Sequence, residues 1–202
     1  MNHSRRILAI IGSYRKGGVI DTATEEVLSA AALNNKRTKI KKIYLTDQNV
    51  EFCTNCRSCT GHPGESRGEC ILGDDMDTIL GEIERSDTVL LASPVNFGTV
   101  TAVMKRFTER LICYAYWPRG AGGPKPRTRR KSRRAVIIVS SAAPSLLTRF
   151  STCAAKPLKT AAKLLGAGKT DIMYIGLAAG EERPALSSRV KQKARRIGKD
   201  IS

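Results

Sequence analysis

Four cysteines stand within eighteen residues of this 202-residue chain, as Cys53-x2-Cys56-x2-Cys59-x10-Cys70. Thiols crowded in this way bind metal or carry redox chemistry, because the thiolate is both a metal ligand and a nucleophile. Three cysteines at a two-residue spacing with a remote fourth can wrap one four-iron cluster. A structural zinc also accepts four thiolates, but tetrahedral zinc sites favour two separated pairs. Unligated thiols are the third reading. Cys113 and Cys153 stand alone and read as small buried hydrophobes.

A second group of residues binds anions. The apolar run Ile7-Leu8-Ala9-Ile10-Ile11 breaks into Gly12-Ser13-Tyr14-Arg15-Lys16-Gly17-Gly18, and a helical pattern follows. In a strand, glycine turn and helix, the turn's free N–H groups and the positive end of the helix dipole converge on one point, where a phosphate can sit. The spacing is neither that of a P-loop nor the Gly-x-Gly-x-x-Gly fingerprint of dinucleotide sites. The same residues also suit an ordinary solvated turn.

The elements that position these groups follow from hydrophobic period. Residues 5–12 read as a buried parallel-type strand, and a first helix begins near Asp21 or Thr22, where Thr22-x-x-Glu25 has capping-box spacing. Lys39 to Leu45 alternates as a second strand, and 52–72 is a loop holding the cysteines. Asp74-Asp75 caps a second helix with Met76, Ile79, Leu80 and Ile83 on one face. Thr88 to Ala92 is a third strand that stops at Ser93-Pro94-Val95-Asn96-Phe97-Gly98-Thr99, and a third helix follows from about Val100 to Ile112. Ala135 to Val139 is a fourth strand, a fourth helix covers roughly 158–165, Asp171 to Ile175 is a fifth strand, and 186–201 is a closing helix.

Five strands alternating with five helices indicate an α/β fold, a doubly wound five-stranded parallel sheet with helices on both faces. In such sheets ligands bind beyond the carboxyl ends of the strands, at the switch in strand order. The first, third and fourth strands each end in a loop of Gly, Ser, Pro or Asn, so three loops converge there. The length suits one domain over 1–202, with the cysteine loop 52–72 and a basic loop 118–134 as insertions.

The net charge is +17, from 35 Lys and Arg against 18 Asp and Glu. Eight of the sixteen residues from Arg119 to Arg134 are basic, among glycines and prolines that read as an exposed, unpacked loop. Such a run suits a solvated surface, an arm for RNA or an acidic partner, or a clamp for a nucleotide 2′-phosphate. No apolar run approaches the roughly 18 residues needed to cross a bilayer. The run behind the basic first six residues is too short for a secretory signal, so a cytoplasmic location is expected.

Together these residues resemble the flavodoxin-like NAD(P)H-dependent FMN reductases, and within them the iron-sulfur flavoproteins. The resemblance covers nearly the whole chain. It rests on the Gly12 to Gly18 loop, on the cysteines followed by Asp74-Asp75-Met76, and on Ser93-Pro94-Val95-x-Phe97-Gly98-Thr99 leading to Lys105, Phe107 and Arg110. It implies FMN with its phosphate held by Ser13, Arg15, Gly18 and the backbone through Ile20 and Asp21. The isoalloxazine ring would lie along Pro94, Val95, Asn96, Phe97, Gly98 and Thr99. Cys53, Cys56, Cys59 and Cys70 would hold a 4Fe-4S cluster, with a longer gap before Cys70 than the family usually has. Val19-Ile20 replaces the Asn-Thr common in the family, and Asn96 replaces a Tyr, which leaves the phosphate more to backbone N–H groups and Arg15.

The function expected is an FMN-dependent oxidoreductase passing electrons between a reduced donor, NAD(P)H or a ferredoxin-type protein, and an acceptor. No acid–base dyad is needed, since hydride and electron transfer belong to the flavin. His3 and His62 read as solvated loop residues. Tyr114, Tyr116 and Trp117 read as local core or as a subunit contact in a homodimer or tetramer. The rival is a non-enzymatic scaffold binding RNA or an acidic protein through the basic loop, though no aromatic residue interleaves that run as base stacking would require.

Overall fold

The structure is a computed structural model that describes residues 4–128, 130–178 and 185–202. His3 and Arg129 lie outside the described residues. Strand β1 (Arg6–Ile11) is buried on both faces after its first residue. Ile7, Ala9 and Ile11 enter one core and Leu8 and Ile10 the other, which is why the strand is apolar without alternation.

Helix α1 (Val19–Asn34) follows, then β2 (Lys39–Tyr44), α2 (Met76–Glu84), β3 (Thr88–Asn96), the two-residue β4 (Thr99–Val100) and α3 (Ala102–Arg110). A small hairpin of β5 (Ala115–Tyr116) and β6 (Lys125–Pro126) precedes β7 (Arg133–Ser140), α4 (Ser145–Ser151), α5 (Ala155–Leu164), β8 (Ala167–Ile175) and α6 (Ser188–Ile201). Five parallel strands lie in the order β2-β1-β3-β7-β8. This is the flavodoxin-like order, with its switch point between β1 and β3. Helices α1 and α6 cover one face of the sheet, while α2, α3 and α5 cover the other.

Several boundaries differ from the sequence reading. Helix α1 starts at Val19 and not at Thr22, and the capping box does not form. Gly18 is the N-cap, and the Thr22 hydroxyl bonds back to the Gly18 carbonyl (3.0 Å) inside the first turn. Asp75 is the N-cap of α2 but makes no side-chain cap bond, its carboxylate turning to Asn49 N–H (2.7 Å); Asp74, one residue before it, accepts from Met76 N–H (3.0 Å). Strand β3 runs four residues beyond Ala92, because its end pairs with both β7 and the antiparallel β4. The expected five-stranded sheet thus gains a short sixth strand. Helix α4 was not expected at all, and the basic loop contains a paired strand, β6, despite its prolines.

Candidate functional site

The loops after β1 and β3 are locked together at the switch point. Gly12 N–H donates to Ala92 O (2.8 Å), the Thr101 hydroxyl to Gly12 O (2.6 Å), and Thr101 N–H to the Ser93 hydroxyl (3.1 Å). In the first loop Ser13 is buried, its hydroxyl accepting from Arg15 N–H (3.2 Å) and donating to Arg15 O (3.1 Å). Gly18 is also buried, and beyond it the first-turn N–H groups of Val19, Ile20 and Asp21 have no partner within the helix. The Ile20 side chain is in the core, so only its backbone faces outward.

Asp21 does not offer a donor side chain. Its carboxylate accepts from Gly17 N–H (2.7 Å) and from the Tyr44 hydroxyl (2.7 Å), bracing the turn from below. Burial and that carboxylate push the Tyr44 hydroxyl up, keeping it a proton donor. Lys16 is tied to Asp47 (2.7 Å). The exposed Arg15 is therefore the loop's available cation, beside the open end of a 16-residue helix.

The second loop is a hairpin between β3 and β4. Phe97 and Gly98 have φ of 47° and 74°, the paired left-handed geometry of a two-residue I′ turn. Phe97 takes a conformation that costs a non-glycine roughly 1–2 kcal/mol, and its ring is fully exposed. Pro94, Val95 and Thr99 are half-buried, and Asn96 and Gly98 are exposed. Cys153 N–H secures the turn through Gly98 O (2.7 Å).

The cysteine loop is built to close on itself. Asn55 and Arg57 are both left-handed (φ 54° and 65°), winding the chain between Cys53, Cys56 and Cys59. The long 60–69 segment returns because Gly68 passes against Cys59. A Cβ on Gly68 would lie 1.8 Å from the Cys59 carbonyl oxygen, so no other residue fits. Cys53, Cys56, Cys59 and Cys70 consequently line one cavity of about 330 Å³, with Arg110 and Trp117 also in its wall. Burial and the neighbouring sulfurs of Cys70, Cys53 and Cys56 push the Cys59 thiol up, whereas the Ser58 hydroxyl and N–H pull Cys56 down. A second cavity, of about 560 Å³, shares Cys53, Asn55, Ile112 and Trp117 with the first and extends to Thr99 and Cys153.

The family described as NADPH-dependent FMN reductase matches residues 5–146. The chain belongs to that family. An iron-sulfur flavoprotein of Archaeoglobus fulgidus is 35% identical over 117 residues, 56% of this chain and 48% of the relative. The chain thus spans about half the length of the curated relatives it matches. An azoreductase of Bacillus anthracis superposes with a TM-score of 0.72 at 12% identity, over 97% of this chain and 99% of that one. An FMN-dependent NADH-azoreductase of the same species, solved with FMN, gives 0.69 at 15% identity over 97% of each chain. These two likenesses speak for the fold alone. The family resemblance read from the motifs is borne out.

The residues of this FMN reductase family member can be tested against the two groups that the resemblance implies. For a phosphate, the unpaired first-turn N–H groups and Arg15 form a donor set of the right sign. Among the described residues no three Cys, His, Asp or Glu side chains form a group placed to hold a metal ion. Four thiols on the walls of one cavity are a donor set of the kind a four-iron cluster takes.

Several residues around this site were missed or misread. Arg127, counted in the basic loop, donates to Cys59 O (3.0 Å), Gly64 O (3.2 Å) and Cys113 O (3.1 Å), clamping the cysteine loop from behind. Arg133 binds Ser86 O (3.0 Å) and Arg134 pairs with Asp171 (3.0 Å). Half-buried Trp117 stacks under Arg57 (4.0 Å to the ring centre) and exchanges hydrogen bonds with Thr60. It packs on its own chain, and so does the buried Tyr114. Cys113 is buried as expected, its thiol pushed up to about 12 by desolvation. Cys153 is exposed, contrary to expectation, because its backbone is held out at the Phe97-Gly98 turn. His62 is exposed in its loop. No helix among the described residues is long and apolar enough to cross a membrane.

Proposed function

We propose that this chain is an FMN-dependent oxidoreductase of the iron-sulfur flavoprotein type, moving electrons between NAD(P)H or a ferredoxin-type donor and an acceptor. The observation that carries this reading is the continuity of the two cavities: the wall that holds Cys53 runs on to Thr99 at the end of the turn expected to bear the ring. When bound, FMN exchanges a hydride or single electrons, and a 4Fe-4S cluster carries one electron at a time.

The chain's own groups divide the work. Ser13, Arg15 and the backbone of Gly18, Ile20 and Asp21 take the phosphate, with Asp21 and Tyr44 fixing the turn's shape. Pro94, Val95, Asn96, Phe97, Gly98 and Thr99 form the edge against which the ring rests, and the strained turn presents Phe97 to whatever approaches it. Cys53, Cys56, Cys59 and Cys70 supply thiolates, while Trp117 and Ile112 keep water from the cavity wall. The exposed side chains of Phe97, Leu146, Phe150 and Leu177 support assembly into a homodimer or tetramer.

The test is anaerobic purification followed by an absorption spectrum, with iron and acid-labile sulfide assayed on the same sample. Two flavin bands over a broad cluster absorption, with about four irons per chain, are expected. Flavin without iron removes the cluster from the reading, and a protein that takes up no added FMN overturns it.

A further inference from the structure

Arg110 closes the cysteine loop, and it touches one of the thiols. Its side chain is 3% exposed and pairs with Asp74, whose side chain is fully buried (2.6 and 3.2 Å). The same guanidinium donates to Glu51 O (2.9 Å), two residues before Cys53, and to Cys70 Sγ (3.5 Å). Asp74 in turn accepts from Glu51 N–H (2.7 Å). One buried ion pair therefore joins both stems of the 52–72 loop and aims a charged N–H at the sulfur of Cys70, the cysteine beyond the long 60–69 gap. Asp74 holds both nitrogens of the fork, so Arg110 has no freedom to turn away.

We propose that Arg110 is a positioning residue for the cluster of the preceding reading: it fixes Cys70 as the fourth ligand and raises the cluster's reduction potential. A reduced cluster carries one more negative charge than an oxidised one, so an N–H donated to a ligand sulfur stabilises the reduced form. The inference rests on the iron-sulfur reading, and its test separates the two.

Two variants are made. Arg110→Lys keeps a positive charge beside Asp74 but cannot reach both the carboxylate and the sulfur. The double variant Arg110→Met with Asp74→Asn removes the pair together, so that neither charge is left buried alone. Iron, sulfide and FMN are assayed first, and the cluster midpoint is then read by an EPR-monitored redox titration. In both variants the reduction equilibrium is expected to move at least tenfold against the reduced state, 59 mV for one electron, with FMN content unchanged. Variants that hold four irons and titrate at the wild-type potential overturn the inference while leaving the iron-sulfur reading intact. A wild-type chain that holds no iron overturns both.

Discussion

Replacing Asp74 with alanine strips the counter-ion from an arginine that is 3% exposed. Removing one partner of a buried ion pair costs about 3–5 kcal/mol, because the survivor's charge stays desolvated. Against a typical total of about 5–15 kcal/mol, that is about a fifth of the stability or more. Asp75 supplies a matched control one residue away, since its carboxylate accepts a single N–H, from Asn49 (2.7 Å), and its loss should cost about 1 kcal/mol. Urea unfolding at a fixed excess of FMN is the assay. With a slope of about 2 kcal/mol per molar, Asp74→Ala lowers the midpoint by about 2 M, and Asp75→Ala by about 0.5 M. The pH dependence follows from the same pair. Burial alone would raise the Asp74 carboxyl, but the Arg110 fork and the N–H groups of Glu51 and Met76 outweigh it and hold it below the usual carboxylate range. A depressed carboxylate contributes stability that is present above its unfolded value, near 3.9, and is lost as pH falls through its folded value. The gap between wild type and Asp74→Asn should therefore narrow only in acid below about pH 4. Equal midpoints for the two alanine variants would refute the reasoning.

Gly68→Ala forces a Cβ to within 1.8 Å of the Cys59 carbonyl oxygen, and backbone must move to admit it. The variant should bind FMN as wild type does but retain less than half the iron, read by iron assay on anaerobic protein. Arg127→Ala removes three hydrogen bonds that hold the cysteine loop from behind. At about 1 kcal/mol each these cap loop opening, so cleavage at Glu65 or Glu69 by a Glu-specific protease should quicken at least tenfold, whereas exposed Arg119→Ala leaves the rate unchanged. Arg15→Ala removes the loop's available cation and should weaken FMN binding about tenfold or more, as expected for a charge-assisted bond, measured by quenching of flavin fluorescence.

The sequence was most readable where burial is symmetric. Strands β1, β3 and β7 announce themselves as apolar runs, since both of their faces are covered and only continuous burial satisfies that. The glycine and cysteine loops could be located because their residue types are chemically unusual at close spacing. What failed was local reasoning about ends. Thr22 and Glu25 have capping-box spacing, yet Gly18, extended at the end of the loop that follows β1, is the N-cap and the helix starts one turn earlier. Nothing local distinguishes the two starts. Likewise the end of β3 depends on its pairing with β4 across a turn whose first central residue is phenylalanine, where turn chemistry would ask for Asn or Gly.

The basic loop shows a deeper reason for misreading. Composition assigned residues 118–134 to solvent, and for Arg119, Lys125, Arg130 and Lys131 exposure agrees with that. Three other arginines of the same run hold backbone carbonyls or a carboxylate across the fold, and one of them, Arg127, bonds the cysteine loop itself. A charge run carries no mark of which member is structural, because the partners are carbonyls that every sequence possesses. The consequence bears on the rival reading of an arm for nucleic acid. An RNA-binding arm needs its cations free to neutralise phosphates and aromatic faces to stack bases, whereas here Trp117, two residues before the run, is already stacked under Arg57 in the wall of the thiol cavity. Within the run, Arg127 is thus better understood through what it holds in place, the rear of the loop whose four sulfurs share one cavity.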